Sequence, residues 1–142
     1  STTYAFLFHL IFIIDIITLK GGDIMDMHKK IITFAMSLDM EELKDNRLLL
    51  LTANGFLSAL PVFSDDTDLQ AKTLYQFLAG AEKAANEDFI LDTNRHMIFD
   101  ANSILLKDIQ WITSQGTQHL GSLVLNTASV IAVSIGNFKK PN

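Results

Sequence analysis

The stretch HLGSLVLNTASVIAVSIGNF, residues 119–138, decides the fold predicted for this chain. It holds two apolar runs rich in Val, Ile and Leu, separated by the polar residues 126–129. Such runs, bounded by Asn, Ser and Gly, are typical of β-strands. The segment therefore predicts two strands at the end of the domain, joined by a short turn.

The residues that precede this stretch extend the β pattern. Residues 89–91, 96–99 and 103–113 predict further strands, with a turn at Gln115-Gly116. Earlier still, residues 47–62 have the form of a hairpin. Its two apolar runs flank Asn54-Gly55, a dipeptide suited to a type I′ turn, and Pro61 limits the second strand.

Two amphipathic helices complete the pattern. Residues 26–38 predict the first, with Asp26 as its N-cap. In the second, Thr67 and Gln70 have capping-box spacing, and we assign the carboxylates before it to the helix start. Its predicted apolar stripe is Leu74, Phe77, Leu78, Ala81 and Ala85. The order helix, hairpin, helix, strands predicts one α+β domain over residues 25–142.

Composition excludes several classes of function. The net charge is −5, so the chain on average repels polyanions, and we expect no DNA binding. It has no cysteine, which fits a reducing compartment, and we expect a cytoplasmic location. Its four histidines (His9, His28, His96 and His119) form no metal motif. No nucleotide or nucleophile motif occurs, so we expect no catalytic residues, metal or cofactor.

Residues 1–24 contain the most apolar run of the chain, residues 4–19, and three interpretations stay open. The run is short for a membrane span and carries His9 and Asp15. A secretory signal would need basic residues before it. Lys20-Gly21-Gly22 can be encoded by a bacterial ribosome-binding sequence, with Met25 at initiation spacing. We therefore favour a translated leader over a membrane anchor or a buried element, and expect no membrane partner unless the segment is genuine.

Two stretches of the β region resemble the motifs of the Sm-like superfamily of small β-barrels. The first motif of that family is matched by Phe99-Asp100, residues 104–106 and Asp108-Ile109. Its second motif is matched by residues 123–125, Asn126-Thr127, Ala128-Ser129 and residues 130–135. The resemblance covers most of residues 28–136 and implies an N-terminal helix on a strongly bent five-stranded barrel. Residues 64–90 would then be a helical insertion.

The resemblance also implies sites and partners. The family's RNA-contacting Asn falls on Ser103, with Asn102 beside it, and its Arg-Gly falls on Asn126-Thr127. An RNA site would thus use Asn102, Ser103 and Asn126, but the arginine is absent. Family members form rings through their strand edges. We therefore expect a non-catalytic homo-oligomeric or protein-interaction module that associates through its terminal strand edges, with RNA binding as the alternative.

Overall fold

A computed structural model describes residues 26–85, Met97, Phe99 and residues 102–137. They form two helices and a five-stranded antiparallel sheet, which confirms the α+β class. The predicted helical insertion between the second and third strands is also present. In chain order the elements are α1 (Met27–Ser37), β1 (Arg47–Thr52), β2 (Gly55–Pro61), α2 (Leu69–Ala85), β3 (Ser103–Thr113), β4 (Gly116–Asn126) and β5 (Val130–Gly136).

The strands are ordered β4-β3-β2-β1-β5, so β4 and β5 are the two edges of the sheet. β1 pairs with both β2 and β5, and β3 pairs with both β2 and β4. Among the described residues β4 and β5 do not pair with each other. The sheet is therefore open, and the predicted closure into a barrel is not observed within one chain.

The connection between the two edge strands shows that the open sheet is curled. A single 3₁₀ turn, Thr127–Ser129, joins β4 to β5. In a flat sheet the outer strands would lie about 19 Å apart, because four strand spacings of about 4.8 Å separate them. The four-residue step from Asn126 to Val130 spans at most about 14 Å. The end of β4 must therefore lie near the start of β5.

A β-bulge at Asp108 contributes to the bend of the sheet. Ser58 pairs with Gln110 and Leu60 pairs with Lys107, so two steps along β2 match three steps along β3. The extra residue, Asp108, has a φ of 50°, a conformation that Asp tolerates better than most residues. As a consequence, Leu106 and Ile109, which are three residues apart on β3, both face the main core.

The main core lies between α1 and one face of the sheet. The side chain of Asp26 caps α1 by accepting a hydrogen bond from the Lys29 N–H at 2.8 Å, as predicted. A fully buried Leu or Ile contributes roughly 1.5–3 kcal/mol, so this cluster supplies much of the driving force for folding. Its most deeply buried members are Ile31, Ala35, Leu48, Leu50, Ala59, Ile104, Leu106 and Ile109.

α2 packs on the opposite face of the sheet, where Ala71, Tyr75 and Ala79 contact Val62 and Leu105. The predicted apolar stripe is therefore partly wrong. Leu74 and Leu78 flank the contact, but Phe77 is 72% exposed and Ala81 is also exposed, while the side chain of Ala85 lies outside the described residues. Ala71, Tyr75 and Ala79 follow one another at intervals of four residues and so share one side of the helix, whereas Phe77 lies on another side.

The predicted capping box at the start of α2 is not observed. The carboxylate of Asp68 accepts the Ala71 N–H at 2.9 Å, so Asp68 rather than Thr67 caps the helix. Asp66 in turn accepts the Asp68 N–H at 2.9 Å. The assignment of these carboxylates to the helix start is confirmed for Asp66 and Asp68, because free N–H groups there favour them.

Both hairpins turn through the same pattern, Thr-x-x-Gly. Thr52 pairs with Gly55, so Ala53 and Asn54 form the first turn, one residue earlier than predicted. Asn54 has no positive φ, which excludes a type I′ turn, whereas Gly55 has a φ of 147°. The Thr52 hydroxyl donates to the Gly55 carbonyl at 2.9 Å, and Thr113 and Gly116 repeat the contact at 3.4 Å.

The two turn glycines allow a matched test of backbone fit. A Cβ at Gly55 would lie 2.5 Å from the backbone oxygen of Ile112, whereas one at Gly116 would meet nothing within 4 Å. Both have a positive φ, so Gly55→Ala adds a clash to the strain that Gly116→Ala also carries. We expect Gly55→Ala to lower the free energy of unfolding by at least about 1 kcal/mol more than Gly116→Ala. Urea denaturation measures this, and equal losses would contradict the close approach of the two hairpins.

Candidate functional site

The three residues predicted to contact RNA lie together at one corner of the sheet. Ser103 and Asn126 are register partners at the end of the β3–β4 ladder. The backbone carbonyl of Asn102 accepts the Thr127 N–H at 2.7 Å and the Thr127 hydroxyl at 3.0 Å. We call Asn102, Ser103, Asn126, Thr127 and the neighbouring His28 the polar corner. The structure thus brings the predicted residues together.

His28, which the sequence did not single out as a site residue, joins this corner from α1. Its Nδ1 lies 2.8 Å from the Thr127 hydroxyl oxygen. Because that hydroxyl donates its one proton to the Asn102 carbonyl, the His28 Nδ1–H must donate to Thr127. The Phe99 ring lies 6.4 Å from the His28 ring and is 45% exposed. An imidazole, amides and an exposed aromatic ring are groups that can bind a nucleobase.

The two edge strands contain no acidic residue, no lysine and no arginine. Neither GTQHLGSLVLN in β4 nor VIAVSIG in β5 contains Asp, Glu, Lys, Arg or Pro. Large apolar side chains are exposed along them: Leu120 at 42%, Val124 at 45% and Ile131 at 59%. His119 on β4 is also exposed. The edges therefore lack the charges and prolines that commonly prevent strands from pairing with other chains.

Arg47 forms a polar bridge across three strands. From β1 its guanidinium donates to the Ser58 hydroxyl at 2.6 Å and to the Ser58 carbonyl at 3.0 Å. It also donates to the Asp108 carboxylate at 2.8 Å and to the Asp108 carbonyl. Ser58 is fully buried, and the Arg47 side chain is 14% exposed. The bridge holds the bulged residue in place, so we assign it a structural role.

A cleft of about 310 Å³ lies beside this bridge, at the start of α2. Its lining includes Asp68, Lys107 and Asp108. Each of these charges already has a partner: Lys107 pairs with the buried carboxylate of Asp66 at 2.5 Å, Asp68 caps α2, and Asp108 pairs with Arg47. The charges of the cleft are therefore satisfied by neighbouring groups and do not indicate a class of ligand.

Other residues considered from the sequence lie partly outside the described residues. The sequence contains two possible carboxylate pairs, Asp88 with Asp92 and Asp100 with Asp108. Asp88, Asp92 and Asp100 lie outside the described residues, and Asp108 binds Arg47. No group of three or more His, Asp or Glu side chains in the described ranges could hold a metal ion. Within the same ranges, neither helix is long and apolar enough to cross a membrane.

Tyr75 is buried in the second core, and its surroundings change the pKa of its hydroxyl. Burial raises the pKa of the Tyr75 hydroxyl above its ordinary value, and the nearby Ser64 side chain opposes part of that effect. The buried side of α2 therefore favours the neutral phenol. This is a property of the second core and lies apart from the polar corner.

The raised pKa predicts a loss of stability in alkali. An unfolded tyrosine has a pKa of about 10, so the stability that the neutral phenol contributes is present below that pH. It is lost as the pH rises through the higher pKa of the folded state. We expect the free energy of unfolding to fall more steeply above about pH 10 in the unsubstituted protein than in Tyr75→Phe. Urea denaturation at several pH values measures this, and parallel profiles would contradict it.

Comparisons of the chain with protein-family models, with curated proteins and with solved structures found no match.

Proposed function

We propose that this protein is a non-catalytic module that self-associates by pairing its β4 and β5 edges between subunits. One observation carries the proposal: both edges of the sheet lack formal charge and proline and expose large apolar side chains. An exposed strand edge presents unpaired N–H and C=O groups that another strand can satisfy. β4 has 11 residues and β5 has 7, long enough for a ladder with a neighbouring subunit.

The shape of the sheet supports pairing of unlike edges. β4 and β5 occupy opposite edges, so contact between β4 of one subunit and β5 of the next leaves the same two edges exposed at the ends of the pair. Such a head-to-tail contact repeats until a ring closes or a filament grows. The curl of the sheet turns successive subunits relative to one another, which favours a ring.

The Sm-like resemblance supports the same proposal. An N-terminal helix followed by five antiparallel strands is the order that the resemblance implies, and α2 would be an insertion before the third strand. Membership of that superfamily and a barrel completed between subunits are parts of the proposal. A strand from a different protein could use the same edges. A monomeric chain in the test below would favour that role over self-association.

The test is the mass of the protein in solution across a range of concentrations. Self-association predicts a mass that is a multiple of the chain mass, 15.8 kDa. The association should depend little on salt, because backbone hydrogen bonds and apolar contacts, rather than charge pairs, would form the interface. A strictly monomeric chain at every concentration would contradict self-association.

RNA binding is the second candidate, and the polar corner favours it. Asn102, Ser103 and Asn126 lie together, with His28 and the exposed Phe99 beside them. None of these side chains carries a fixed positive charge, so binding would depend on stacking and hydrogen bonds and would depend weakly on salt.

A gel-shift assay at low salt, with U-rich and A-rich RNA, tests the RNA alternative. If the corner binds RNA, Asn102→Ala should weaken binding by about tenfold, the usual effect of losing one or two hydrogen bonds. Ser114→Ala, at the exposed turn between β3 and β4, serves as the control. Equal binding by both variants, or no binding by the parent protein, would count against this alternative.

A further inference from the structure

A side chain of α2 occupies the edge of β4. The carboxamide oxygen of Gln70 accepts the backbone N–H of Ser122 at 3.0 Å. Along an edge strand of an antiparallel sheet, N–H groups point alternately toward the neighbouring strand and away from it. Because the Ser122 N–H donates to a helix side chain, it is one of those that point away from β3. Gln70 therefore fills a position that the carbonyl of an incoming strand would need.

Gly121 makes room for this contact. A Cβ at position 121 would overlap the Gln70 carboxamide oxygen. Unlike Gly55 and Gly116, Gly121 has no positive φ, so the backbone conformation does not require glycine there. Because Gly121 has no side chain, the Gln70 carboxamide can approach the backbone of β4 closely. Both elements therefore contribute to the contact: α2 supplies the acceptor, and β4 supplies the N–H donor and a glycine that leaves space for it.

We propose that Gln70 is a removable plug on the β4 edge, through which α2 limits self-association. The inference rests on the proposed function and adds its regulation. Gln70 is exposed, and a single neutral hydrogen bond holds it, so the plug can be released at little cost. Full pairing of β4 with another subunit requires that release. A plug of this kind keeps a charge-free edge from pairing indiscriminately.

Substitutions at position 70 should change self-association in opposite directions. Gln70→Ala removes the acceptor and should lower the dissociation constant about three- to tenfold. Gln70→Glu provides a charged acceptor for the same N–H, which strengthens the plug, and should raise the dissociation constant. Gln76→Ala, at an exposed position of the same helix, is the matched control and should leave the value unchanged. Sedimentation velocity over a concentration series measures all four proteins.

Hydrogen exchange of the Ser122 amide distinguishes failure of the plug from failure of the proposed function. It is measured in the Ile131→Lys background, where the altered β5 edge is expected to prevent pairing. Gln70→Ala should speed exchange at Ser122, and Gln76→Ala should not. If the protein associates but all variants share one dissociation constant, the proposed role of Gln70 is wrong and the proposed function stands. Unchanged exchange at Ser122 would show that the contact does not exist. If every variant is monomeric, the proposed function fails, and its regulation by Gln70 fails with it.

Discussion

Replacement of Val124 and Ile131 together by lysine is expected to abolish self-association. The two residues expose apolar side chains on opposite edges of the sheet, one on β4 and one on β5. A lysine at each place would put a desolvated charge into any edge-to-edge ladder, which is how many natural proteins keep such edges apart. Both side chains point into solvent in the monomer, so the fold should persist. Sedimentation velocity should show the monomer alone, with an unchanged circular dichroism spectrum.

The matched control for this variant is Phe77→Lys. Phe77 is 72% exposed, but it lies on α2 and on neither of the two edge strands. If general surface hydrophobicity caused the association, Phe77→Lys would weaken it as much as the edge substitutions. We expect it to have no effect. Association that survives in the Val124 and Ile131 double variant would place the interface elsewhere on the chain.

The second large effect concerns stability. Arg47→Ala is expected to lower the free energy of unfolding by about 2–3 kcal/mol, because it removes hydrogen bonds to a charged group and leaves the buried Ser58 hydroxyl without its donor. The ion pair with Asp108 adds little to this value, since the Asp108 side chain is 64% exposed. Urea denaturation monitored by the fluorescence of Trp111 measures the change.

Lys44→Ala provides the control for loss of a basic side chain. Lys44 pairs with Glu41 at 2.9 Å, but the two side chains are 64% and 83% exposed. Exposed pairs of this kind contribute little, so we expect a change within about 0.5 kcal/mol. If Arg47→Ala cost no more than Lys44→Ala, the three-strand bridge would not stabilise the bend of the sheet.

The order of elements was largely predictable from the sequence, because it depends on local patterns. β3 matches the predicted residues 103–113, and the 3₁₀ turn Thr127–Ser129 lies within the predicted break between β4 and β5. Asp26 caps α1 as expected. In these places apolar runs, turn residues and a capping residue all indicate the same structure, and no distant contact competes with them.

The local sequence pattern did not predict the structure at the places where contacts between distant residues determine it. The apolar pattern of α2 does not show which side contacts the sheet, and packing against Val62 and Leu105 selected Tyr75 and left Phe77 exposed. Gln70 has the spacing of a capping residue, yet it binds β4. The alternation of apolar and polar residues in β3 likewise does not indicate the bulge at Asp108, which Arg47 from β1 stabilises.

The polar corner was predicted in part. The turn residues Asn102, Ser103 and Asn126 were recognisable from their place between apolar runs and from the Sm-like resemblance. His28 was not, because it lies 99 residues away from Thr127 in the sequence. A histidine in the first turn of an amphipathic helix has many structural uses, and only the packing of α1 against the turn after β4 shows its partner.

The central claim is that the unsubstituted chain associates through its sheet edges, and its molar mass in solution tests this most directly. Size-exclusion chromatography with light scattering, at several loading concentrations, gives that mass without reference to shape. We expect a mass of two or more times 15.8 kDa for the full chain and of 15.8 kDa for the Val124 and Ile131 double variant. A mass of 15.8 kDa for the unsubstituted chain at every concentration would contradict it.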